Sequence, residues 1–327
     1  MKRALVTGGG GFVGSYIVKQ LRQAGVECLV LGRNPYPEME ALGATCLQGD
    51  ICDAEFLGST MSDVDTVFHV AALAGIWGRW EDYHRVNVLG TENVLAACKK
   101  NKVSNLVYTS TPSVVFNGED IVNGDEQLPY ADHFLCHYAK SKVMAEKLVL
   151  ESSGDELHTC AIRPHLVWGP GDPHLIPRLL ERGRQGQLKK VGNCTNRVDI
   201  SYVENVAAAH LLAAKNLETI GTASGQAYFI SQGEPVNLWD WIDELFERMN
   251  VPPIRSRIPF PLAYGAGAIL EAVHRLFLPE KEPRMTRFLA EQLAKSHCFS
   301  IDKARKDFDY SVSITTEEGM KRLCECI

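Results

Sequence analysis

The chain has 327 residues, of which 45% are apolar and 23% are charged, and its formal net charge is −6 at pH 7. This composition is that of a globular protein with a sizeable core, and the length predicts about two domains. Because the balance is acidic and no basic block is present, nucleic acid is excluded as an expected partner.

The predicted elements begin as strand, helix, strand. Residues 2–7 form an apolar run that ends at glycines, residues 12–24 have helical periodicity, and residues 26–31 form a second apolar run. Further strand-like runs lie at 44–48, 64–70, 105–109 and 157–162, and helical patterns lie at 53–61, 81–101 and 138–152. This alternation predicts an α/β fold of the Rossmann type, with a doubly wound parallel sheet.

The alternation stops after Arg163-Pro164, where the prolines and glycines of residues 165–172 predict a loop and the exit from the first domain. Residues 203–216 are helix-like and residues 226–231 are strand-like, so we expect the chain to return. We predict a dinucleotide-binding domain of residues 1–165, rejoined by about 198–232. Residues 166–197 and 233–327 would form a smaller, mostly helical substrate-binding region, with the ligand crevice at the boundary.

A glycine-rich turn follows the first strand. Residues 7–14 read Thr-Gly-Gly-Gly-Gly-Phe-Val-Gly and contain the spacing Gly9-x-Gly11-x-x-Gly14. Glycines here permit a tight turn and let a pyrophosphate approach the backbone at the N-terminus of the next helix. Alone, such a cluster also fits a flexible turn. The predicted dinucleotide contacts in this segment are Gly8, Gly11, Phe12, Val13 and Gly14.

The end of the second strand bears on the choice of dinucleotide. An acidic residue at this point binds the ribose hydroxyls of NAD, whereas an arginine accommodates the additional phosphate of NADP. Here the strand ends in Leu-Gly-Arg-Asn, with Arg33 placed to bind a phosphate. We therefore predict NADP(H), with NAD(H) as the alternative and a solvated loop arginine as the competing interpretation. The remaining predicted cofactor contacts are Asp50, Ile51, Ala71, Ala72, Tyr138, Lys142 and Pro164.

Tyr138-Ala-Lys-Ser-Lys142 supplies the predicted proton donor. Positions four apart share a helix face, so we expect the Lys142 ammonium near the Tyr138 phenol, where it would lower a pKa that is ordinarily about 10. A buried-strand pattern ends in hydroxyls at Thr111, which we expect to donate a hydrogen bond to a substrate carbonyl. Ser110 and Ser113 are the alternative hydroxyls. An exposed helix face is the competing interpretation, but the three parts in chain order favour catalysis.

Taken together, these motifs resemble the extended short-chain dehydrogenase/reductases, and the resemblance covers nearly the whole chain. Within that superfamily, residues 108–116, 199–207 and 303–310 resemble the 3β-hydroxysteroid dehydrogenase/isomerase group. Residues 74–78, 109–113 and 167–172 are similar to the bacterial reductases of 2-alkyl-3-oxoalkanoic acids in olefin biosynthesis. Many steroid relatives have serine where this chain has Thr111, but the hydroxyl is retained.

The resemblance implies NADPH-dependent reduction of a long-chain 2-alkyl-3-oxoalkanoic acid to the 3-hydroxy acid, with Tyr138, Lys142 and Thr111 as the catalytic residues. It also implies a homodimer and an assembly with a thiolase-like condensing enzyme and a β-lactone synthetase. The first alternative is an NAD(P)-dependent 3β-hydroxysteroid or sterol-4-carboxylate 3-dehydrogenase. A nucleotide-sugar epimerase and a nucleotide-sensing scaffold without turnover are further alternatives.

An alkyl-rich substrate needs a long apolar cavity. The predicted walls are Ile76, Trp77, Trp80, Trp168 and residues 258–278. The substrate carboxylate requires a cation, for which Arg178, Arg197 and Arg284 are candidates. His165 and His174 flank the loop near the crevice, where structural or surface roles compete with substrate contact.

The N-terminal residues, the cysteines and residues 258–278 indicate the cellular compartment of the protein. The first residues run into glycines without the apolar core of a signal peptide, so a cytoplasmic protein is expected. The ten cysteines have no metal-like spacing, which predicts no metal site and is typical of a reducing compartment. Prolines and charges make residues 258–278 a poor membrane span. We expect an amphipathic helix over the substrate pocket, with a peripheral membrane or partner surface as the alternative.

Overall fold

Seven parallel strands form the centre of the computed structural model, which describes residues 1–327. In chain order the strands are β1 (Arg3–Thr7), β2 (Glu27–Gly32), β3 (Thr45–Gln48), β4 (Thr66–His69), β5 (Asn105–Thr109), β6 (Ile121–Gly124), β7 (His158–Pro164), β8 (Val167–Trp168), β9 (Lys190–Val191), β10 (Arg197–Val198), β11 (Ser201–Tyr202), β12 (Gln226–Ile230), β13 (Val236–Asn237), β14 (Arg257–Ile258) and β15 (His297–Phe299). The central sheet has the order β3-β2-β1-β4-β5-β7-β12. This order confirms the predicted doubly wound α/β fold of the Rossmann type.

Helices cover both faces of this sheet. They are α1 (Phe12–Gln23), α2 (Pro37–Ala41), α3 (Ala54–Thr60), α4 (Trp80–Tyr83), α5 (Gly90–Lys100), α6 (His137–Glu151), α7 (Leu175–Arg184), α8 (Val203–Thr219), α9 (Leu238–Arg248), α10 (Phe260–Phe277), α11 (Arg287–Ala294), α12 (Asp302–Phe308) and α13 (Thr316–Cys326). The helix predicted at 81–101 is interrupted, because a π-helical turn (His84–Leu89) joins α4 to α5. The other predicted boundaries in the first 165 residues agree within about two residues.

Alternation along the strands builds two separate cores. In β1, Ala4 and Val6 pack with α1 and α8 on one face, whereas Leu5 packs with α3, α5 and α6 on the other. Successive strand residues point to opposite faces, so continuous apolar runs are what a sheet covered on both sides requires.

The remaining segments build a third core around the buried rings of Trp168, Trp239 and Trp241. A small sheet of order β13-β10-β15-β6 adjoins it, and β6 comes from the N-terminal part of the chain. Conversely, Ala304 and Phe308 of α12 pack in the same core as α8 and β12. The chain therefore passes between the two regions several times.

Helix α10 has one face in the protein and an apolar stripe in solvent. Its buried face includes Gly267, where a Cβ would lie 2.7 Å from the backbone carbon of Thr286, so α10 and the start of α11 approach closely. The exposed apolar stripe comprises Leu262, Ile269, Val273, Leu276 and Phe277. No helix of the structure has both the length and the apolar character needed to cross a membrane.

Candidate active site

The glycine turn between β1 and α1 leaves space for a ligand and none for side chains. Gly8 has a φ of +68°, and a Cβ there would lie 2.9 Å from the backbone nitrogen of Ala71. A Cβ on Gly14 would lie 2.2 Å from the Gly8 carbonyl oxygen. Gly11 is the N-cap of α1 without a capping side chain, so the N–H groups that open the helix at Phe12 and Val13 are available to an anion. This cradle fits a dinucleotide pyrophosphate.

The adjoining surface at the end of β2 carries the residues predicted to meet the adenosine. Arg33 is exposed, and its carbonyl accepts a hydrogen bond from Gln48. Burial opposes ionisation of Asp50, but the Cys52 N–H and the cations Arg85 and Arg33 together keep its pKa below the ordinary value. Ile51 is buried beneath this surface.

Tyr36 is a neighbour of the cradle that sequence reasoning missed. A Cβ on Gly10 would lie 2.0 Å from the Tyr36 ring, and one on Gly32 would lie 2.4 Å from its hydroxyl oxygen. The two glycines therefore make room for this ring between the glycine turn and the end of β2. The sequence signal was only an aromatic residue four positions after Gly32, in a segment with no strong periodicity.

The other predicted residues follow further strands at the same carboxyl edge of the sheet. Ala71 and Ala72 come after β4, Thr111 comes after β5, and Pro164 is the last residue of β7. Ligands of open α/β sheets bind at this edge. The fold thus brings together segments that are up to about 150 residues apart in the chain.

Tyr138 lies in the first turn of α6, beside Thr111. Burial raises the pKa of Tyr138, and a hydrogen bond with the Thr111 hydroxyl opposes this effect. Thr111 also contacts Ser113, whose N–H and hydroxyl both lie 3.2 Å from its Oγ1. Ser110 is buried, and its hydroxyl has no partner. The hydroxyl next to the Tyr138 phenol is thus that of Thr111.

Lys142 lies one turn after Tyr138, but its ammonium is engaged elsewhere. Its Nζ donates to the Tyr108 hydroxyl and to the Thr109 carbonyl, at 2.6 Å each. Burial lowers the pKa of Lys142 to about 7, while the Glu146 carboxylate acts in the opposite direction. The expected lowering of the Tyr138 pKa by Lys142 is therefore not what this arrangement provides, because burial dominates and the cation faces Tyr108.

A directed chain of buried hydrogen bonds runs beneath these residues. The Thr91 hydroxyl donates to the Asn87 carbonyl at 2.7 Å, so Nε2–H of His69 must donate to Thr91 at 2.9 Å. Nδ1 of His69 then accepts from the Thr7 hydroxyl at 2.8 Å, and Thr7 accepts from the Ala71 N–H. Burial lowers the pKa of His69 to about 3, so the ring is neutral.

Asn87 ties the π-helical turn to both sides of the crevice. Its side chain exchanges two hydrogen bonds with the backbone of Leu73 and donates to the Ser141 hydroxyl at 2.9 Å. Ser141 in turn donates to the Tyr138 carbonyl at 2.8 Å. A π-helical turn places one extra residue in the helix, which is common at functional sites. Here it aims an amide at the helix that carries Tyr138.

A buried ion pair supports the same helix. Glu146 is 0% exposed and accepts hydrogen bonds from Nε of Arg163 and from the Tyr130 hydroxyl, the latter at 2.8 Å. Arg163 is 3% exposed, and its guanidinium lies 5.0 Å from the centre of the Phe229 ring. The pair joins α6 to β7 directly below the crevice.

A cavity of about 260 Å³ lies beside the start of α6. Its apolar walls include Ile76 and Trp77, and it contains the cations Arg79 and Arg275. The Trp77 indole donates to the Pro279 carbonyl at 2.9 Å, which closes one side. A larger depression of about 720 Å³, lined only by polar residues within 123–127, 226 and 300–307, shares no residue with this site.

Several predicted substrate residues lie elsewhere. Trp168 is fully buried in the third core, because it packs against Tyr202 and Trp241, and Trp80 packs on His137 outside the cavity lining. Helix α10 does not lie over the cavity along its length, since only Arg275 near its C-terminal end reaches the lining.

The three predicted carboxylate-binding arginines are also absent from the lining. Arg178 pairs with Glu282, Arg197 donates to the Pro235 carbonyl, and Arg284 is exposed. His174 is the N-cap of α7, and His165 is buried in a stack on His297. The cavity cations Arg79 and Arg275 gave no sequence signal that set them apart from other surface arginines.

The chain is an NAD(P)-dependent oxidoreductase of the extended short-chain dehydrogenase/reductase class, which acts on a hydroxyl or keto group. The cradle, the hydroxyls of Thr111 and Tyr138 and the buried Lys142 fit this chemistry. Residues 5–262 match the model of the 3-beta hydroxysteroid dehydrogenase/isomerase family. The chain belongs to this family, as the motifs predicted.

Similar proteins cover the whole chain. A 2-alkyl-3-oxoalkanoate reductase of Shewanella oneidensis is 47% identical, with 99% of this chain and 86% of the relative covered. One of Stenotrophomonas maltophilia is 43% identical, with 98% of each covered. A 3-beta-hydroxysteroid dehydrogenase of Mycolicibacterium neoaurum is 37% identical over 99% of this chain and 90% of that protein.

Solved structures agree with the fold. The crystal structure of gox2253 superposes with a TM-score of 0.80 at 26% identity, over 100% of this chain and 98% of that one. A structure of MoeE5 with UDP-glucose and NAD has a TM-score of 0.75 at 24% identity, over 99% and 98% of the two chains. At this identity the second likeness bears on the fold alone.

Proposed function

We propose that this protein uses NADPH to reduce a long-chain 2-alkyl-3-oxoalkanoic acid to the 2-alkyl-3-hydroxyalkanoic acid, as a step in olefin biosynthesis. The main support is the identity of 43% and 47% to two relatives named for this reaction, over essentially the whole chain. The geometry is compatible, because Thr111 and Tyr138 lie at the ligand edge of the sheet and a partly apolar cavity adjoins them.

Thr111, Tyr138 and Lys142 have separate roles in the proposed reduction of the ketone. A nicotinamide dinucleotide held at the glycine turn, by Gly8, Gly11 and the N–H groups at the start of α1, would supply a hydride for the C3 carbonyl carbon. The Thr111 hydroxyl donates a hydrogen bond to the carbonyl oxygen, and the Tyr138 hydroxyl delivers a proton to that oxygen as the alcohol forms. Tyr138 is left as a phenolate, and Lys142, one turn further along α6, relays the proton that restores the phenol.

Arg33 supports the preference for NADPH. It is exposed at the end of β2, and the strand itself ends without an acidic residue that would repel a phosphate. The nearby Asp50 carboxylate is paired with Arg85, which adds a second cation to the same surface. Arg33→Ala should weaken NADPH binding about ten- to a hundredfold and leave NADH binding nearly unchanged. Arg248→Ala on α9 is the matched control. Equal losses for both dinucleotides would contradict the assignment.

The substrate is tested by following NADPH oxidation with a long-chain 2-alkyl-3-oxoalkanoic acid, or NADP⁺ reduction with the corresponding hydroxy acid. Tyr138→Phe should lower turnover by roughly 10² to 10⁴. A 3β-hydroxysteroid and a sterol 4-carboxylate, each with NAD⁺ or NADP⁺, test the second candidate function, which the 37% identical steroid dehydrogenase favours. If only a sterol is turned over, the substrate assignment would be wrong, whereas the assignment of the catalytic residues would stand.

We also propose a homodimer that assembles with a thiolase-like condensing enzyme and a β-lactone synthetase. Such an arrangement would pass a water-insoluble acid between enzymes without releasing it. Light scattering on the purified chain gives the subunit number, and co-purification with the two enzymes tests the assembly. A monomer that elutes alone from the three-protein mixture would contradict both parts.

The exposed stripe of α10 supports our proposal that the protein, which we expect in the cytoplasm, binds peripherally to membranes. Residues 253–287 contain six arginines and lysines against three glutamates, a net charge of +3 in a chain of −6. An apolar stripe flanked by cations suits an anionic lipid surface, which would also hold the alkyl substrate. Flotation with anionic vesicles should be lost in Leu276→Glu/Phe277→Glu and retained in Ile220→Glu, an equally exposed apolar site elsewhere. Absence of flotation of the unaltered protein would exclude this surface.

A further inference from the structure

Tyr108 is a phenol in the middle of the central sheet, where its hydroxyl needs partners. It is 1% exposed, and its ring packs on His69 at 5.4 Å between centroids. Its oxygen accepts a hydrogen bond from Lys142 Nζ at 2.6 Å. An ammonium group only donates hydrogen bonds, so the Tyr108 oxygen is the acceptor in this contact.

The ammonium of Lys142 is consequently held at two of its three N–H groups. Tyr108 takes one and the Thr109 carbonyl takes the second, so the third remains for a ligand at the crevice. Nζ also lies 4.0 Å from the centre of the Tyr108 ring, where the face of the ring favours a cation. Both contacts favour the charged form of a lysine that is buried in a core and would otherwise lose its proton.

The titratable groups around Lys142 are few. Glu146 lies one turn further along α6, Tyr138 lies one turn before, and His69 faces it from β4. His69 is fixed as a neutral ring by Thr7 and Thr91, so it does not compete for the proton. Tyr108 is the only titratable side chain that forms a hydrogen bond with the Lys142 ammonium.

We propose that Tyr108 is a positioning residue that keeps Lys142 protonated and directs its one uncommitted N–H into the cofactor crevice. Neither the glycine turn nor the Tyr-x-x-x-Lys spacing implies this role. It deepens the proposed function, yet its main readout needs no substrate, so it can fail or succeed independently of the substrate assignment.

The test measures NADPH affinity by fluorescence from pH 5.5 to 9 in the unaltered protein and in Tyr108→Phe. Affinity should weaken with rising pH as Lys142 loses its proton, and Lys142→Met should lack this inflection. In Tyr108→Phe the ammonium loses a hydrogen-bond acceptor, so the inflection should lie about one to two pH units lower. The alkaline limb of the turnover profile should move with it. Tyr310→Phe is the matched control, because it also removes a buried tyrosine hydroxyl, one that donates to the Ser231 carbonyl.

An inflection at the same pH in Tyr108→Phe and in the unaltered protein would overturn the proposal, as would an equal shift in Tyr310→Phe. A merely structural role would lower the melting temperature without moving the inflection. If Tyr108→Phe does not fold, 3-fluorotyrosine at position 108 serves instead, because it leaves the ring in place and makes the phenol oxygen a weaker hydrogen-bond acceptor for Lys142. It should shift the inflection in the same direction by a smaller amount, and no shift there would also overturn the proposal.

Discussion

Removing one partner of the buried pair between Glu146 and Arg163 should destabilise the protein strongly. In Glu146→Leu the guanidinium of Arg163, 3% exposed, keeps its charge but loses its carboxylate, and the Tyr130 hydroxyl loses its acceptor. Breaking such a pair typically costs about 3–5 kcal/mol. For a chain of this length, about 2 °C per kcal/mol implies a melting temperature roughly 6–10 °C lower.

The double substitution Glu146→Leu/Arg163→Met separates the pair from simple loss of packing. If desolvation of an unpaired charge dominates, the double variant should recover most of the lost stability, since an apolar pair of similar volume is often as stable as a buried ion pair. Scanning calorimetry and urea unfolding of the two variants measure this. A loss below about 1 kcal/mol in the single variant, or a double variant no more stable than the single, would refute the reasoning.

Two further predictions concern the cradle and acid stability. Gly14→Ala should weaken dinucleotide binding about ten- to a hundredfold, because its Cβ would meet the Gly8 carbonyl at 2.2 Å, whereas Gly154→Ala, with open space around it, should bind normally in the same fluorescence titration. Burial lowers the pKa of His69 to about 3, of His165 and His210 to about 4, and of His297 well below its ordinary value. The unfolded chain therefore binds more protons than the folded chain between pH 6.5 and 4. As the pH is lowered through this window, the free energy of unfolding should decrease by up to about 1.4 kcal/mol per pH unit for each histidine. Asp199, whose pKa burial raises to about 6, opposes this trend in the same window. Equal stability by urea unfolding at pH 7.0 and 5.5 would contradict the prediction.

The sheet and the cradle were predictable because both depend on local pattern. Apolar runs of five or six residues that end at glycines fix β1 and β2, and a Cβ has no room at Gly14 whatever the rest of the chain does. Tyr138 and Lys142 could be found because their spacing is four. Each of these signals lies within a single element.

The partners of Lys142 could not be predicted, because they depend on how distant elements meet. In the sequence, Tyr108 is indistinguishable from an ordinary buried residue of a strand, and its contact with Lys142 joins residues 34 positions apart. In the sequence, Asn87 is one polar residue within a long predicted helix. The π-helical turn places its side-chain amide within hydrogen-bond distance of Ser141. Sequence periodicity assigns residues to a face, whereas hydrogen bonding across faces depends on three-dimensional register.

The repeated passage of the chain between its two regions has an evolutionary consequence. Strand β6, from residues 121–124, belongs to the small sheet beside the third core, and α12, from residues 302–308, packs in a core of the central sheet. A recombination event that replaced the region around the third core would have to exchange several separated stretches of coding sequence at once. New specificity in such a scaffold is therefore acquired most readily by point changes in loops such as residues 73–79, while the interwoven regions are inherited together.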